Sequence, residues 1–441
     1  MRCEERSIVP SYPESLEIPT IRKTPNLRIT PPGSKSLTNR ALVLAALSSA
    51  GSPQIIQGAL RSEDTEICVA ALQALGYEVH PDWANHSIRV FRGDGPVVPR
   101  SSADLFLGNS GTSIRFLTAL LALGKGTYRL DGIPRMRERP IGDLLSALEQ
   151  LGTPTRCEGK PGFPPIVLES GSWKGGRIQV AGDVSSQFLS GLLMAAPFAP
   201  CTTIFEVQGE QVSQPYVEMT RRLLHQWHLT IQTPRPGLYI VPGEQPTDGL
   251  AGSVYPVEPD ASAASYFFGA AAITGGRITI PGLSMHSLQG DVCFVDVLER
   301  MGCRVERGPD FLAVEGGDLT GIDVGMNDIS DTVMTLSAVA LFARGPTTIR
   351  NVAHIRHKET DRVSALAREL TRLGASVEER EDGLTIHPAP LRGTRVETYN
   401  DHRMAMSLSL VGLKIPGVII ADPGCVAKTY PNFFEDLAKL G

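Results

Sequence analysis

The most regular feature of this chain is a series of nearly all-apolar segments, each entered through a turn of small or polar residues. Segments that are rich in Ala, Leu, Met and Phe on every face predict helices buried in a core. Self-similarity at a fixed period indicates a repeated structural unit. The turns fall at Lys35, Asn109, Ser185, Asp260, Asp331 and Asp401, so the steps between them are 74, 76, 75, 71 and 70 residues.

A second kind of segment follows in each repeat, with apolar residues at i, i+3, i+4 and i+7. This spacing predicts an amphipathic helix, and the Gly that follows most of these segments suits a helix end. Stretches typical of β-strands, such as TYRLDGI and TTIFEVQG, separate the two helices. We therefore predict an α/β chain of six β-α-β-α-β-β units.

A stretch rich in Pro and Gly, VPGEQPTDGLAGSVYPVEPDA, lies between the third and fourth units and predicts a boundary. The 441 residues also exceed what one hydrophobic core usually serves. We expect two similar domains of three units each, an N-terminal one over 33–256 and a C-terminal one formed by 1–32 with 257–441. The strand LRIT before Pro31 is expected to belong spatially to the second domain.

Composition excludes several classes of protein. Hydrophobic residues make up 42% of the chain, too many for a disordered protein, and the net charge of −5 argues against non-specific nucleic-acid binding. Seven scattered cysteines without a CxxC pair fit a reducing cytosol rather than a disulfide framework or a zinc knuckle. No apolar run approaches the ~18 residues of a membrane span, and the first 20 residues do not resemble a secretory signal.

Several predicted helix starts carry Lys or Arg, although the positive end of a helix dipole favours anions. The turn Gly33-Ser34-Lys35-Ser36 lacks the Walker pattern because Ser34 precedes the lysine, which excludes an NTPase loop. Small residues, backbone N–H groups, a Lys and hydroxyls nevertheless suit an anion. A solenoid without chemistry would not need such residues at the same end of every unit. We therefore expect an anionic ligand.

Three further runs of charged residues bear on the expected anionic ligand. Arg135, Arg137 and Arg139 form either a solvated turn or an anion clamp. In KETDR, Lys358 and Arg362 form a like-charged i,i+4 pair on a predicted helix, which is unfavourable unless an anion lies between them. The triplet Asp401-His402-Arg403 enters an apolar helix, where charge is costly without partners.

At this point eight motifs, in order along the chain, resemble the enolpyruvyl transferases of the shikimate pathway. The resemblance runs from about residue 30 to the C-terminus. It implies an inside-out α/β barrel in each of two domains of three βαβαββ units, with the active site in the interdomain cleft, complete only when the domains close. The motifs are PGSKSLTNRA, LGNSGTSIRF, PRMRERPIGDL, VSSQFLSGLLMAAP, DASAASYF, KETDR, YNDHRMAMSLSLV and AKTYP.

The resemblance also implies a reaction in aromatic amino-acid and chorismate biosynthesis. The 5-hydroxyl of shikimate 3-phosphate adds to C2 of phosphoenolpyruvate while C3 is protonated, and phosphate then leaves the tetrahedral ketal. No metal or organic cofactor is implied, and a cytoplasmic monomer is expected, with neither nucleic acid nor membrane as partner. Both substrates carry phosphate and carboxylate groups, which fits the cations at the helix starts.

Roles are carried over residue by residue from the resemblance. Asp331 is the expected base on the 5-hydroxyl, Glu359 and Lys35 are candidates for the other proton transfers, and His402 is a weaker candidate. The residues implied for phosphoenolpyruvate are Lys35, Asn109, Gly111, Arg139, Gln187, Arg362, Arg403 and Lys428. Those implied for shikimate 3-phosphate are Lys35, Ser36, Arg40, Ser185, Ser186, Gln187, Ser213, Tyr216, Asp331, His354 and Lys358.

Three positions depart from the pattern common in the family: His354 stands in place of Asn, Phe116 in place of Pro, and Pro259 in place of Gly. Phe116 is expected to reshape the phosphoenolpyruvate pocket. Gly111 is expected to leave room for the inhibitor glyphosate, so we predict retained sensitivity with an altered inhibition constant.

Three alternatives remain. A UDP-N-acetylglucosamine enolpyruvyl transferase usually carries a reactive Cys in the loop corresponding to GIPRMRERP, where this chain has none between Cys68 and Cys157. A non-catalytic anion-binding repeat protein would be expected to lack Asp331 or Glu359. An RNA 3′-phosphate cyclase shares related units but needs to bind nucleotide and RNA.

Overall fold

The structure, a computed structural model, describes residues 12–48, 52–246 and 252–441. Its α-helices are α1 (Lys35–Ser48), α2 (Glu63–Ala74), α3 (Gly111–Leu121), α4 (Gly142–Gln150), α5 (Ser186–Ala195), α6 (Gln214–Gln226), α7 (Ala261–Thr274), α8 (Phe294–Arg300), α9 (Val333–Ala340), α10 (Arg362–Leu373), α11 (His402–Gly412) and α12 (Phe433–Ala438).

Its β-strands are short, and most of them follow or precede one of these helices. They are β1 (Ser15–Glu17), β2 (Asn26–Arg28), β3 (Gln54–Gln57), β4 (Glu78–Asp82), β5 (Ser87–Phe91), β6 (Ser102–Phe106), β7 (Gly126–Asp131), β8 (Thr155–Cys157), β9 (Ile166–Ser170), β10 (Gly176–Ala181), β11 (Thr203–Gln208), β12 (Gln232–Arg235), β13 (Leu238–Val241), β14 (Val254–Pro256), β15 (Arg277–Pro281), β16 (Arg304–Arg307), β17 (Phe311–Glu315), β18 (Asp323–Gly325), β19 (Thr347–Arg350), β20 (Ser376–Arg380), β21 (Gly383–His387), β22 (Arg395–Val396) and β23 (Ile419–Ala421).

The six apolar segments form the buried helices α1, α3, α5, α7, α9 and α11, as predicted. In α7 every residue from Ala261 to Ile273 is buried, which an apolar helix without a polar face requires. The starts agree with the predicted turns, with one difference. Asp331 lies in a 3-10 segment, Asn327–Thr332, and α9 begins just after it at Val333.

Five four-stranded mixed sheets share one strand order, which confirms the repeat. In each, the first two strands are parallel and the last two pair as an antiparallel hairpin, with the final strand of the unit beside the second. This pattern places the two helices of a unit in the crossovers between its strands. The sheets are β14-β3-β5-β4, β6-β7-β9-β8, β10-β11-β13-β12, β2-β15-β17-β16 and β18-β19-β21-β20.

Two strands pair with partners that are distant in sequence and belong to another repeat unit. β2, the LRIT strand, pairs in parallel with β15 as expected, and β14 pairs in parallel with β3. The last repeat is also completed from a distance, since β1 pairs antiparallel with β23 beside β22. That sheet has three strands among the described residues.

The described chain divides into two compact units. The N-terminal unit contains Gly33–Glu258 and Leu288–Gly290, and the C-terminal unit contains the described residues up to Pro32 with Pro259–Ser287 and Asp291–Gly441. Part of the predicted boundary stretch, residues 247–251, lies outside the described residues, as do residues 1–11 with Cys3.

Each unit has its own hydrophobic core around three apolar helices. α1, α3 and α5 pack on one another in the N-terminal unit, and α7, α9 and α11 do so in the C-terminal unit. The six cysteines of the described part are free thiols. No helix there combines the length and the apolar character needed to cross a membrane.

Candidate active site

In the N-terminal unit the starts of four helices lie close together. Lys35, the first residue of α1, forms an ion pair at 3.2 Å between its Nζ and Oδ2 of buried Asp64 on α2. The Ser113 hydroxyl of α3 donates to the Asp64 carbonyl at 3.4 Å, and Gln187 Nε2 of α5 donates to Thr112 Oγ1 at 3.4 Å. The repeat therefore gathers its cationic and hydroxyl-bearing turns at one end of this unit.

Arg40 is a buried guanidinium held by neutral groups. Its Nε donates to Thr220 Oγ1 at 2.8 Å, and its two Nη atoms donate to the carbonyls of Ser36 and Tyr216 at 3.0 and 3.2 Å. No carboxylate among the described residues lies within ion-pair distance of it. Burial of its charge lowers the pKa of Arg40 to about 10, so an incoming anion would relieve that cost.

The ring of Phe116 lies against this guanidinium, with Cζ of Arg40 5.0 Å from the ring centroid. Such a cation–π contact is favourable for a cation with little access to water. Phe116 therefore contacts Arg40, a residue implied for shikimate 3-phosphate, whereas the sequence led us to expect an effect on the phosphoenolpyruvate pocket.

Arg139 is buried beside the start of α3. Its Nη1 donates to the backbone carbonyl of Asn109 at 3.0 Å and to the Asn109 side-chain oxygen at 3.1 Å. A Cβ added at Gly111 would stand 2.3 Å from Nη2 of Arg139 and 2.7 Å from Nη1 of Arg115. A side chain at position 111 would therefore displace the Arg139 guanidinium, whereas glycine leaves both guanidinium groups in place.

The three arginines of PRMRERP do not form one clamp. Arg135 pairs with Glu138 at 2.8 Å, and Arg137 pairs with Asp131 at 2.7 Å, and both arginine side chains reach the solvent. Only Arg139 is buried. The structure thus assigns the solvated-turn interpretation to the first two and leaves Arg139 as a candidate for anion binding.

The serines of this unit have different local roles. Ser185 caps α5 by accepting from the Gln187 N–H at 3.3 Å, and Ser186 begins that helix with its side chain buried. Ser213 precedes α6 with φ of 52°, in the left-handed region that residues other than Gly rarely adopt. Strain of this kind is concentrated at functional sites. Tyr216 lies in the first turn of the same helix, α6.

In the C-terminal unit Arg362 is the centre of a buried ionic network. Its Nε lies 2.8 Å from Asp401 Oδ2, its Nη2 lies 2.9 Å from Glu359 Oε2, and its Nη1 lies 3.3 Å from Asp331 Oδ1. Burial alone would lower the pKa of Arg362, but these three carboxylates raise it above its ordinary value. Arg362 is thus held permanently charged.

Arg403 is the second guanidinium of this network. Its Nη2 lies 2.6 Å from Asp331 Oδ2, and its Nη1 donates to the Tyr266 hydroxyl oxygen at 3.3 Å. Its backbone N–H donates to Asp401 Oδ1 at 2.9 Å, which caps α11. Asp331 therefore stands between the guanidinium groups of Arg362 and Arg403.

The helical interpretation of KETDR was wrong. Lys358 follows a 3-10 segment, Ala353–His357, and α10 begins only at Arg362 after its cap Asp361. Lys358 and Arg362 are therefore not neighbours on a helix face. Lys35, Arg362 and Arg403 also have carboxylate partners within the protein, so their position at helix starts does not by itself demand an external anion.

Three more candidates lie in this unit. His354 is buried, and burial together with the charge of Lys358 lowers its pKa to about 3. His402 is enclosed in the core, with Nδ1 3.8 Å from Asp401 Oδ1. Lys428 is buried at the end of a 3-10 segment, Pro423–Lys428, and the next helix, α12, begins at Phe433.

Sequence reasoning missed three residues that contact the candidates. Asp64 pairs with Lys35, Arg115 donates to the start of α3, and Tyr266 accepts from Arg403. Spacing could have indicated Arg115, which lies four residues after Gly111 and donates to its carbonyl at 3.0 Å. The partners of Asp64 and Tyr266 are distant in sequence, so no local signal marks them. No group of three or more His, Cys, Asp or Glu residues that could hold a metal ion occurs in the described ranges.

Comparisons with known proteins agree with the motifs. The family model described as EPSP synthase (3-phosphoshikimate 1-carboxyvinyltransferase) matches residues 20–437. A 3-phosphoshikimate 1-carboxyvinyltransferase of Nostoc punctiforme is 48% identical over 431 residues, covering 97% of this chain and 99% of the relative. One from Marinomonas sp. is 44% identical, with coverage of 93% and 96%.

Solved structures are similar over the same length. The EPSP synthase of Acinetobacter baumannii has a TM-score of 0.79 and 26% identity, covering 97% of this chain and 98% of that one. The enolpyruvyl transferase NikO from Streptomyces tendae has a TM-score of 0.76 and 21% identity, with 97% of both chains covered, and shares the fold.

Proposed function

The chain belongs to the family of EPSP synthase, 3-phosphoshikimate 1-carboxyvinyltransferase, and we propose that it transfers the enolpyruvyl group of phosphoenolpyruvate to the 5-hydroxyl of shikimate 3-phosphate. The products are 5-enolpyruvylshikimate 3-phosphate and inorganic phosphate. The observation that carries the proposal is the buried network of Asp331, Glu359, Arg362 and Arg403. It combines carboxylates that can act as bases with cations suited to an anionic substrate.

In the first half of the reaction Asp331 accepts the proton of the 5-hydroxyl as its oxygen bonds to C2 of phosphoenolpyruvate. C3 gains a proton, from Glu359 or Lys35, and the tetrahedral ketal phosphate forms. In the second half C3 returns a proton while the C2–O bond to phosphate breaks. Fixed guanidinium groups need no reorganisation as charge develops, which lowers the barrier.

The anionic groups of the substrates are assigned to cations and hydroxyls. Lys35, Arg139, Arg362, Arg403 and Lys428, with Asn109, Gly111 and Gln187, are proposed for phosphoenolpyruvate. Ser36 and Arg40 are proposed for the shikimate carboxylate, Ser185, Ser186 and Ser213 with Tyr216 for the 3-phosphate region, and Asp331 and Lys358 for the ring hydroxyls. Arg40 supports its assignment most directly, since it is buried without a carboxylate partner among the described residues.

We propose His354 for the binding of shikimate 3-phosphate and His402 for proton transfer. The location of the active site in the cleft between the domains stays a prediction. We also propose that the enzyme is a cytoplasmic monomer and that glyphosate inhibits it. Gly111 contributes to the site by lacking a side chain that would displace Arg139.

The test is release of phosphate from phosphoenolpyruvate with shikimate 3-phosphate, measured beside UDP-N-acetylglucosamine. Turnover is expected only with shikimate 3-phosphate. Asp331→Asn should lower kcat about 10²–10⁴-fold because a general base is lost. Asp328→Asn, in the same 3-10 segment but exposed, is the matched control. A near-normal kcat for Asp331→Asn would remove Asp331 from the role of base.

A further inference from the structure

Tyr266 has no role in the chemistry above, yet its hydroxyl contacts that network. The residue lies on the apolar helix α7, with 1% of its surface exposed. Its hydroxyl oxygen accepts a hydrogen bond from Arg403 Nη1 at 3.3 Å. Arg403 is the one hydrogen-bond partner of that hydroxyl among the described residues.

The two Nη atoms of the Arg403 guanidinium have different partners. Nη2 meets Asp331 at 2.6 Å, and Nη1 meets Tyr266. A planar guanidinium that is held at both Nη atoms cannot rotate about its Cδ–Nε bond, so the direction of its remaining N–H groups is set. That direction matters because guanidinium groups recognise carboxylate and phosphate through paired, parallel hydrogen bonds.

The tyrosine itself is held firmly. Its ring packs edge-to-face on Phe433 of α12, with centroids 5.5 Å apart and an angle of 76°. Burial raises the pKa of Tyr266, so the phenol stays neutral and accepts from Arg403 without adding a negative charge. A neutral acceptor orients the cation, whereas a further carboxylate would compete with the substrate for it.

We propose that Tyr266 is a positioning residue, which fixes the plane of Arg403 for binding the anionic groups of phosphoenolpyruvate. The proposal rests on the proposed function, in which Arg403 binds that substrate. The proposal predicts an effect of Tyr266 on substrate binding but not on the chemical step. Tyr266 acts on Arg403, and its hydroxyl forms no hydrogen bond with Glu359 or with the Asp331 carboxylate.

The test is Tyr266→Phe, which removes one hydroxyl and keeps the ring. We expect the KM for phosphoenolpyruvate to rise about tenfold, as for loss of a hydrogen bond to a charged group. The kcat and the KM for shikimate 3-phosphate should change by less than about twofold.

Tyr430→Phe is the matched control. Tyr430 belongs to the same aromatic cluster, 5.6 Å from Phe433, but its hydroxyl donates to Asp436 at 2.6 Å instead of contacting Arg403. This variant should lower the melting temperature without changing either KM. If Tyr266→Phe behaves in the same way, its hydroxyl is only structural and the proposal is wrong.

The outcomes also separate this proposal from the assigned activity. A wild-type chain without turnover on phosphoenolpyruvate and shikimate 3-phosphate would overturn the proposed function itself. An active wild type with an unchanged KM for phosphoenolpyruvate in Tyr266→Phe would overturn the role of Tyr266 alone. Melting temperatures of all three proteins show whether each variant is folded.

Discussion

A single methyl group at residue 111 should disturb Arg139, because the two cannot occupy the same space. The Cβ of an alanine would stand 2.3 Å from Arg139 Nη2, so the guanidinium must move away from Asn109. We expect Gly111→Ala to raise the KM for phosphoenolpyruvate about tenfold, as for loss of a charged hydrogen bond. Steady-state kinetics with both substrates varied give the result.

Gly142→Ala is the control for this substitution. Gly142 is likewise the first residue of a helix, α4, but an added Cβ there would meet Gly162 Cα at 3.1 Å and no cation. Both variants should fold, since alanine favours helix more than glycine does. An unchanged KM in Gly111→Ala would mean that Arg139 does not bind phosphoenolpyruvate.

His354 should make the protein sensitive to acid. Its pKa is about 3 in the folded protein, against an ordinary value of about 6.5. Between these values the unfolded chain binds a proton that the folded one resists, so stability falls as the pH drops from 6.5 towards 3. The surrounding charges are Lys358, Arg362, His357 and Asp331.

We therefore expect His354→Asn to lose less stability than the wild type on acidification. At pH 4.5 the difference should be about 2 kcal/mol, and it should vanish near pH 7. Urea unfolding at the two pH values measures it. His387→Asn, which alters a partly exposed histidine paired with Glu378, should follow the wild type. Equal acid sensitivity in all three proteins would show that His354 is not the cause of the loss of stability at low pH.

At the scale of elements, the start of α11 combines a helix cap with an ion pair. Asp401 is fully buried, accepts from the backbone N–H of Arg403 at 2.9 Å, and lies 2.8 Å from Arg362 Nε. Asparagine would preserve the cap but not the charge. The two contributions can therefore be separated by substitution.

Asp401→Asn should reduce the free energy of unfolding by about 3 kcal/mol, because it leaves the buried Arg362 with one carboxylate fewer. Asp361→Asn provides the comparison. Asp361 also caps a helix, α10, and pairs with an arginine, Arg356, but its side chain is 43% exposed. That variant should lose less than about 1 kcal/mol. Similar losses, measured by urea denaturation, would show that the buried charge of Asp401 contributes no more to stability than the exposed charge of Asp361.

At the scale of the molecule, each unit is completed by a strand from elsewhere in the chain. The N-terminal unit needs β14, which pairs with β3 and places Tyr255 against Trp227 with ring centroids 4.4 Å apart. The C-terminal unit needs β2 beside β15. A cut in the boundary stretch would therefore leave β3 with an unpaired edge.

Fragments test this dependence. A fragment of residues 33–258 contains every strand of its three sheets, whereas 33–246 lacks β14. We expect the longer fragment to melt about 5 °C higher, since it gains the strand pairing and the aromatic contact. Circular dichroism during heating measures this, with far-ultraviolet spectra as a check on folding. Equal melting temperatures would show that β14 contributes little to this unit.

The pattern of residues along the chain was enough to predict the repeat and the alternation of buried and amphipathic helices, and it placed candidate residues at the helix starts. Those features depend on spacing within one element, which the local pattern of apolar and charged residues records. The main error, at KETDR, concerns the residue at which a helix begins, because several starts fit the same sequence.

Which charged side chains form ion pairs with one another became clear from the tertiary structure alone. Lys35 meets Asp64, and Arg362 meets Asp401, which is 39 residues away in sequence. It likewise decided that β2 and β14 pair outside their neighbours, that Arg139 alone of three arginines is buried, and that Tyr266 touches Arg403. The energy of a buried charge depends on the partners that folding brings within a few ångströms, and no local pattern contains them.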